Sequence, residues 1–264
     1  MTNETQQAWY ENVYARRSEA IHTYKLKLLE IAAPSLANSS ILDVGCGTGQ
    51  MAQRLNALGA QVVGVDFSLN GLRHAAAYAA ALQTNLDQSL PFANEQFDAV
   101  WCTEVIEHVI SPLHLLQELH RILRPGGRLF LTTPNSAFHF FRYLELFGKT
   151  SSEIQHPGHL HFFSARSLAR VCTNSGFQIE QFFGRAVFLA MPTFGLARRS
   201  ASSHPTRLEG LLYEDTLMRG PLLLWTRFIR LQKSFWADTF IMVAHKVTTG
   251  AGGEPDTPEC SATV

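Results

Sequence analysis

The sequence has little cysteine: Cys46, Cys102, Cys172 and Cys260 are scattered through 264 residues, and no two form a Cys-x-x-Cys pair. That spacing argues against a disulfide framework and a structural zinc site, and it fits a reducing compartment. Net charge is also missing, since Lys+Arg and Asp+Glu both number 22. Without a basic stripe to neutralise phosphates, nucleic acid is an unexpected partner and a small or neutral substrate is favoured. Long hydrophobic runs are absent too. The opening MTNETQQAWYENVYARR has no continuous apolar stretch of the signal-peptide kind. The best candidate for a spanning helix, Ala186 to Ala197, is too short and is interrupted by Pro192 and Gly195. The expectation is a soluble, cytoplasmic protein with no transmembrane segment.

What is present is an apolar content of 46%, enough to bury the core of one large α/β domain. A helical segment occupies residues 1–35, with its helix running from about Thr5 to Ile31 before the Pro34 break. Residues 36–249 read as one domain, and the tail 250–264 (GAGGEPDTPECSATV) has a disordered composition. Within the domain, strands are expected at Ile41 to Val44, Gln61 to Val65, Phe97 to Thr103, Arg128 to Thr133, Phe177 to Phe183 and Trp236 to His245. Helical spacing appears at Met51, Ala52, Leu55 and Leu58, with Gly59 placed to end that helix. A second helix, capped by Ser68, is expected to turn Leu69, Leu72, Ala75, Ala76, Ala79 and Leu82 inward. A third opens at Ser111-Pro112 and buries Leu115, Leu116, Leu119, Ile122 and Leu123. A fourth runs from Ser164 to Ser175 and stops at Gly176. Strands alternating with helices imply a parallel sheet covered on both faces. The stretch 184–234 is apolar but poorly periodic and reads as a cap over the active site.

The first strand runs into Asp43-Val44-Gly45-Cys46-Gly47-Thr48-Gly49. A glycine-rich turn there lets backbone approach a ligand where side chains would collide. A dinucleotide fingerprint needs glycine three residues beyond Gly47, but Gln50 stands there. The G-x-G-x-G spacing behind Asp43 suits a ligand with a zwitterionic amino-acid end in place of a pyrophosphate. The second strand ends in Asp66, whose carboxylate can accept both ribose hydroxyls. Its plainer role is a turn or cap beside Ser68.

ILDVGCGTG, VVGVD, LPF…FDAVWCTEVIEHV and LRPGGRLFLTTPN resemble successive motifs of class I S-adenosylmethionine-dependent methyltransferases, and are most similar to the quinone-biosynthesis O-methyltransferases among them. The likeness is strong over about 38–135 and weaker through HPGHLHFFSARSLARVCTNSGF. The N-terminal helix and 184–234 lie outside it. It implies a Rossmann-like, doubly wound, mostly parallel sheet of about seven strands, the last antiparallel, with helices on both faces. It implies S-adenosyl-L-methionine as cofactor. Asp43, Gly45, Cys46 and Gly47 would line its methionine end, Asp66 would hold the ribose, and Phe67 would lie beside the adenine. Asn85 and Leu86 stand where the family has an acidic and an apolar residue at the adenine edge, with Asp87 as a one-residue ambiguity. Thr103 and Glu104 would face the sulfonium.

On the acceptor side, methyl transfer from a sulfonium needs positioning and, for a hydroxyl, a proton acceptor. The candidates are Glu107 and His108 in EVIEHV and the histidines of His156-x-x-His159-x-His161, with His159 first. Glu107 and His108 have the plainer alternative of fixing the start of the next helix. The histidine spacing superficially suits a metal, but three histidines with no cysteine near them are thin support for one, so no metal is expected. Phe138, Phe140, Phe141, Tyr143 and Phe147, with Phe162 and Phe163, serve mainly as core, a few of them walling an apolar or aromatic acceptor pocket. Residues 221–231 alternate arginine with large apolar side chains. They read as a lid helix, or alternatively as a peripheral membrane contact. A nicotinamide oxidoreductase is disfavoured because Tyr143 is followed by Phe147 where a Tyr-x-x-x-Lys pair would need lysine. An amino-methyltransferase of nucleic acids is disfavoured because Cys102-Thr103-Glu104-Val105 replaces the expected Asn/Asp-Pro-Pro-Tyr/Phe element. A non-catalytic binder of the cofactor keeps the same loop and stays open.

Overall fold

The computed structural model describes residues 23–150, 155, 158–186 and 237–247. In chain order the elements are α1 (Thr23–Ala32), β1 (Ser40–Val44), α2 (Gln50–Ala57), β2 (Gln61–Asp66), α3 (Leu69–Ala75), β3 (Ala80–Gln83), β4 (Phe97–Thr103), α4 (Pro112–Ile122), β5 (Leu123–Pro134), α5 (His139–Glu145), α6 (Ala165–Asn174), β6 (Phe177–Ala186) and β7 (Ala237–Lys246). The strands form one seven-stranded sheet in the order β3-β2-β1-β4-β5-β7-β6. Strands β1 to β5 pair in parallel, while β7 runs antiparallel to both β5 and β6. The order reverses direction between β1 and β4, and that switch point opens a crevice at the carboxyl ends of the strands.

The alternation of side chains along each strand divides the core between the two faces of the sheet. Leu42, Val44, Val100 and Cys102 pack with Leu115, Leu119, Leu168 and Cys172 on one side, under α4 and α6. Ile41, Ala99, Trp101 and Phe130 pack with Leu28, Met51 and Leu55 on the other, under α1 and α2. Trp101 stacks at a tilt on Phe130 with ring centroids 5.4 Å apart. Local chemistry sets the helix ends. Ser111 accepts from the His114 N–H at the start of α4, with Pro112 in its first turn. Ser164 and Ser167 form a reciprocal capping box on α6. Gly59 and Gly176 take the positive φ that lets the chain turn after a helix.

Two expected elements differ. The helix after Ser68 ends at Ala75, and Ala80–Gln83 forms β3 instead of its last turn. Of the residues expected on its inner face, Leu72 and Ala75 are buried while Leu69, Ala76 and Leu82 are exposed. The alanine-rich run favours helix locally, but pairing of Val63 to Asp66 with Ala80 to Gln83 outweighs that preference. The second difference is in length: β6 continues to Ala186, past the Phe183 end read from sequence, so the expected cap cannot begin at 184. Leu58 is also exposed, unlike Met51, Ala52 and Leu55 before it. The remainder of the cap, the 221–231 segment, most of the helix expected from Thr5, His156 and the 250–264 tail lie outside the described residues. Among the described residues, no helix is long and apolar enough to cross a membrane.

Candidate active site

The turn after β1 is built from backbone that side chains would obstruct. Gly45, Gly47 and Gly49 all have positive φ, at 67°, 52° and 82°. A methyl group on Gly45 would sit 2.5 Å from Val105 Cγ2, and one on Gly49 would sit 2.7 Å from the Ala75 Cα. The N–H groups of Gly45 and Cys46 both donate to the Val65 carbonyl, at 2.8 and 3.0 Å. Asp66 completes the clamp: its carboxylate accepts from the Gly47 N–H at 2.9 Å and from the Ser68 N–H at 2.8 Å. Cys46 is buried against Gly64, where any side chain would press on its sulfur.

Asp43 lies beneath this loop, 2% exposed, with Oδ2 buried and unpartnered. Burial pushes its carboxyl up to about 7; the Lys25 charge and the Ala52 N–H oppose the shift, and Asp66 adds to it. A buried acid held near neutrality, with a spare oxygen, is suited to receive a cationic ligand group. On the β3 side, Phe67 is half-buried and its carbonyl accepts from Gln83 Nε2 at 3.0 Å. Leu86 packs on the core edge. The Asn85 side-chain oxygen accepts from the Asp87 N–H at 3.0 Å. Asp87 in turn accepts from the N–H groups of Ile110 and Ser111, at 2.7 and 3.3 Å. Its carboxylate therefore anchors the entry to α4.

At the end of β4, Thr103 is buried and Glu104 adopts a left-handed conformation with φ 59°. A glutamate there is strained, and two bonds to β5 hold it. Its N–H donates to the Thr132 carbonyl at 3.1 Å, and Thr132 Oγ1 donates to Glu104 Oε1 at 2.8 Å. Glu107 is 1% exposed; it accepts from Thr133 Oγ1 at 2.9 Å through Oε2, while Oε1 is buried without a hydrogen-bond partner. Burial raises both glutamates above the usual carboxylate range; for Glu107 the neighbouring Glu104 charge adds to the shift.

The structure brings together the three residues expected to carry the acceptor chemistry. His108 and His159 meet edge to face with centroids 4.7 Å apart, and His108 Nε2 lies 3.9 Å from Glu107 Oε1. Glu107, His108 and His159 each offer one ligand atom within 4.8 Å of the others, a set able to hold a cation. Glu107 gives His159 an acidic neighbour that is separated from it in sequence but adjacent in space. The Glu107 carbonyl accepts from the Leu160 and His161 N–H groups at 2.8 and 3.0 Å, which stitches the histidine segment to the end of β4. His161 turns aside, with Nε2 3.1 Å from the Ile110 carbonyl. Glu107 and His108 do not cap α4, which starts at Ser111. Of the aromatics, Phe138 and Phe163 are core, whereas Tyr143, Phe147 and Phe162 are exposed. Lys25 on α1, Thr132 and Thr133 on β5, and Gln155 beside His159 were not marked by the sequence. Thr132 and Thr133 lie within the LRPGGRLFLTTPN motif without having been singled out, whereas Lys25 and Gln155 sit in no motif.

A family profile described as a methyltransferase domain matches residues 15–181. A ubiquinone biosynthesis O-methyltransferase of Thiobacillus denitrificans is 27% identical over 186 residues, which cover 67% of this chain and 80% of that protein. An S-adenosylmethionine-dependent methyltransferase structure from Mesorhizobium loti superposes with TM-score 0.54 at 16% identity, covering 83% of this chain and 98% of that one. The [4+2]-cyclase SpnF superposes with TM-score 0.62 at 21% identity, covering 94% and 98%.

Proposed function

Since the chain belongs to the methyltransferase-domain family and takes S-adenosylmethionine as its methyl donor, we propose that the acceptor is a hydroxyl oxygen of a small, apolar or aromatic molecule. The observation that carries this reading is the Glu107–His108–His159 cluster in and after the segment that follows β4. Nitrogen nucleophiles present a lone pair directly, whereas a hydroxyl must lose a proton as it attacks. Supporting it, the curated relative from Thiobacillus is an O-methyltransferase.

Bound S-adenosylmethionine would supply an activated methyl group to the acceptor oxygen, with a neutral thioether as leaving group, and His159 Nε2 would take the hydroxyl proton. A neutral imidazole, with an ordinary pKa near 6.5, suits a phenol or enol near neutral pH. Asp43, Gly45, Cys46 and Gly47 are proposed to hold the amino-acid end of the donor, Asp66 its ribose, Phe67, Asn85 and Leu86 its adenine, and Thr103 and Glu104 the side of the sulfonium. The reaction is proposed to take place in the cytoplasm without a nucleic-acid partner.

The test is a metabolite-extract screen with methyl-labelled donor and mass spectrometry of the product. Label on oxygen is expected; label on nitrogen or carbon would leave the enzyme class standing and remove the O-methyl reading. His159→Ala should keep donor affinity and lose about a hundredfold in turnover, with partial recovery at high pH where the acceptor ionises unaided. Full turnover in that variant would move the base elsewhere. A second reading rests on the unpartnered Glu107 Oε1 and its two histidine neighbours. A divalent cation on those atoms would acidify the hydroxyl in place of a base. Loss of turnover on EDTA treatment, restored by Mg2+, would select that reading. A third keeps donor binding without methyl transfer, as the cyclase-bearing fold of SpnF allows. Donor binding with no labelled product from any extract would favour it.

A further inference from the structure

His159 is useful as a proton acceptor only if its Nε2 carries the lone pair, and the tautomer is set by what faces Nδ1. His159 Nδ1 lies 3.2 Å from Gln155 Oε1, and Gln155 Nε2 donates to Ser136 Oγ at 3.3 Å. In this orientation the amide oxygen accepts, so Nδ1 holds the hydrogen and Nε2 the lone pair. Ser136 lies two residues past the end of β5. Its N–H donates to the Phe163 carbonyl at 2.9 Å, and the preceding Asn135 bonds to the Asp238 and Ala237 carbonyls of β7. The relay therefore starts from a backbone fixed by the central sheet. The neighbouring ring repeats the pattern, with His108 Nδ1 2.9 Å from the Gly158 carbonyl.

We infer that Gln155 is a positioning residue: through Ser136 it fixes His159 as the Nδ1–H tautomer and supports the imidazolium formed when Nε2 takes the acceptor's proton. This rests on the reading of His159 as base. After proton uptake both ring nitrogens are donors, and the amide orientation in place is the one that then still accepts. Among the described residues, the titratable groups facing His159 are Glu107 and His108, with Glu104 behind Glu107. None of these meets Nδ1 as Gln155 does, so changing Gln155 tests its contact selectively.

The experiment is long-range proton–nitrogen correlation spectroscopy of histidine-labelled protein with S-adenosylhomocysteine bound, the His159 signals being assigned with His159→Ala. Wild-type His159 should show the Nδ1–H form. Gln155→Glu should raise the His159 pKa by about one unit or more, because a carboxylate replaces a neutral acceptor. Gln155→Leu should mix the tautomers and lower turnover of a catechol probe about ten- to a hundredfold, with donor affinity kept. The pH at which catechol turnover falls on the acid side should move up in Gln155→Glu and stay put in Gln155→Glu combined with His159→Ala. An Nε2–H tautomer in the wild type, or a His159 pKa unmoved by Gln155→Glu, would overturn the inference. Unchanged turnover in His159→Ala alone would instead remove the base reading beneath it, whatever tautomer the spectra report.

Discussion

Asp66 shows how one side chain serves the fold and the ligand together. Its carboxylate closes the glycine loop onto the end of β2 through the Gly47 and Ser68 N–H groups. Asp66→Ala removes those bonds as well as any to ribose hydroxyls. Donor affinity should fall by about 2–4 kcal/mol, from loss of charge-assisted hydrogen bonds. The melting temperature should also drop, which a purely ligand-facing carboxylate would not cause. Calorimetry and a melt of the same sample check both, and an unchanged dissociation constant would place the ribose elsewhere. The glycine loop, Asp43 and Asp66 were readable in the sequence because a turn motif states its own geometry. The trio of Glu107, His108 and His159 was only half readable. Each residue was visible as a candidate, but their meeting depends on the Leu160 and His161 amides bonding back to Glu107. Lys25 left no local trace; Thr133 lies in a quoted motif but its partner Glu107 is 26 residues away, and Gln155, only four residues before His159, stands in no recognisable pattern.

Among the elements, α3 carries the most direct link between packing and the cofactor loop. Gly71, in its first turn, lies so close to the loop that an added methyl would approach the Gly47 carbonyl oxygen to 2.9 Å. Helix propensity alone predicts that Gly71→Ala stabilises by about 1 kcal/mol. The contact predicts the reverse, because the loop backbone cannot recede without breaking the Asp66 clamp. The variant should melt at a lower temperature and bind S-adenosylmethionine more weakly; a higher melting temperature with intact binding would show that the loop can give. The same helix explains the one strand hidden in the sequence. AAAYAAAL has the composition of a helix continuing, and β3 is an edge strand whose residues are mostly exposed, so no alternation marks it. By contrast, the start and inner face of α4 were legible because its apolar spacing matches the face it buries, although Leu123, expected on the helix, opens β5.

For the whole molecule, the buried acids of the site set how stability responds to pH. Asp43, Glu104 and Glu107 are all raised by burial, Asp43 to about 7. Between the ordinary carboxylate range and about 7 or above, the folded chain therefore holds protons that the unfolded chain has released. Raising the pH through that window destabilises the ligand-free protein. Asp98 and Glu118 are shifted downward, so their opposite contribution falls at more acid pH. The melting temperature without ligand should fall from pH 5 to pH 8, and Asp43→Asn should flatten the trend. Because S-adenosylmethionine brings a sulfonium and an ammonium, its stabilising effect should be larger at pH 8 than at pH 5. A melting temperature that climbs steadily over this range, equally in Asp43→Asn, would mean these acids ionise freely. The placement of β7 has another consequence, for the order in which the chain can be completed during synthesis. Among the described residues, strand β6 pairs in the sheet with β7 alone. As the nascent chain emerges, β6 leaves the ribosome well before β7, with everything from Ala186 to Ala237 still to be made between them. Over that interval β5 and β6 both present open edges, the state in which strands recruit other chains. Slow translation across residues 187–236 would therefore be expected to cost yield of this protein, and a trigger-factor-type holdase to restore it.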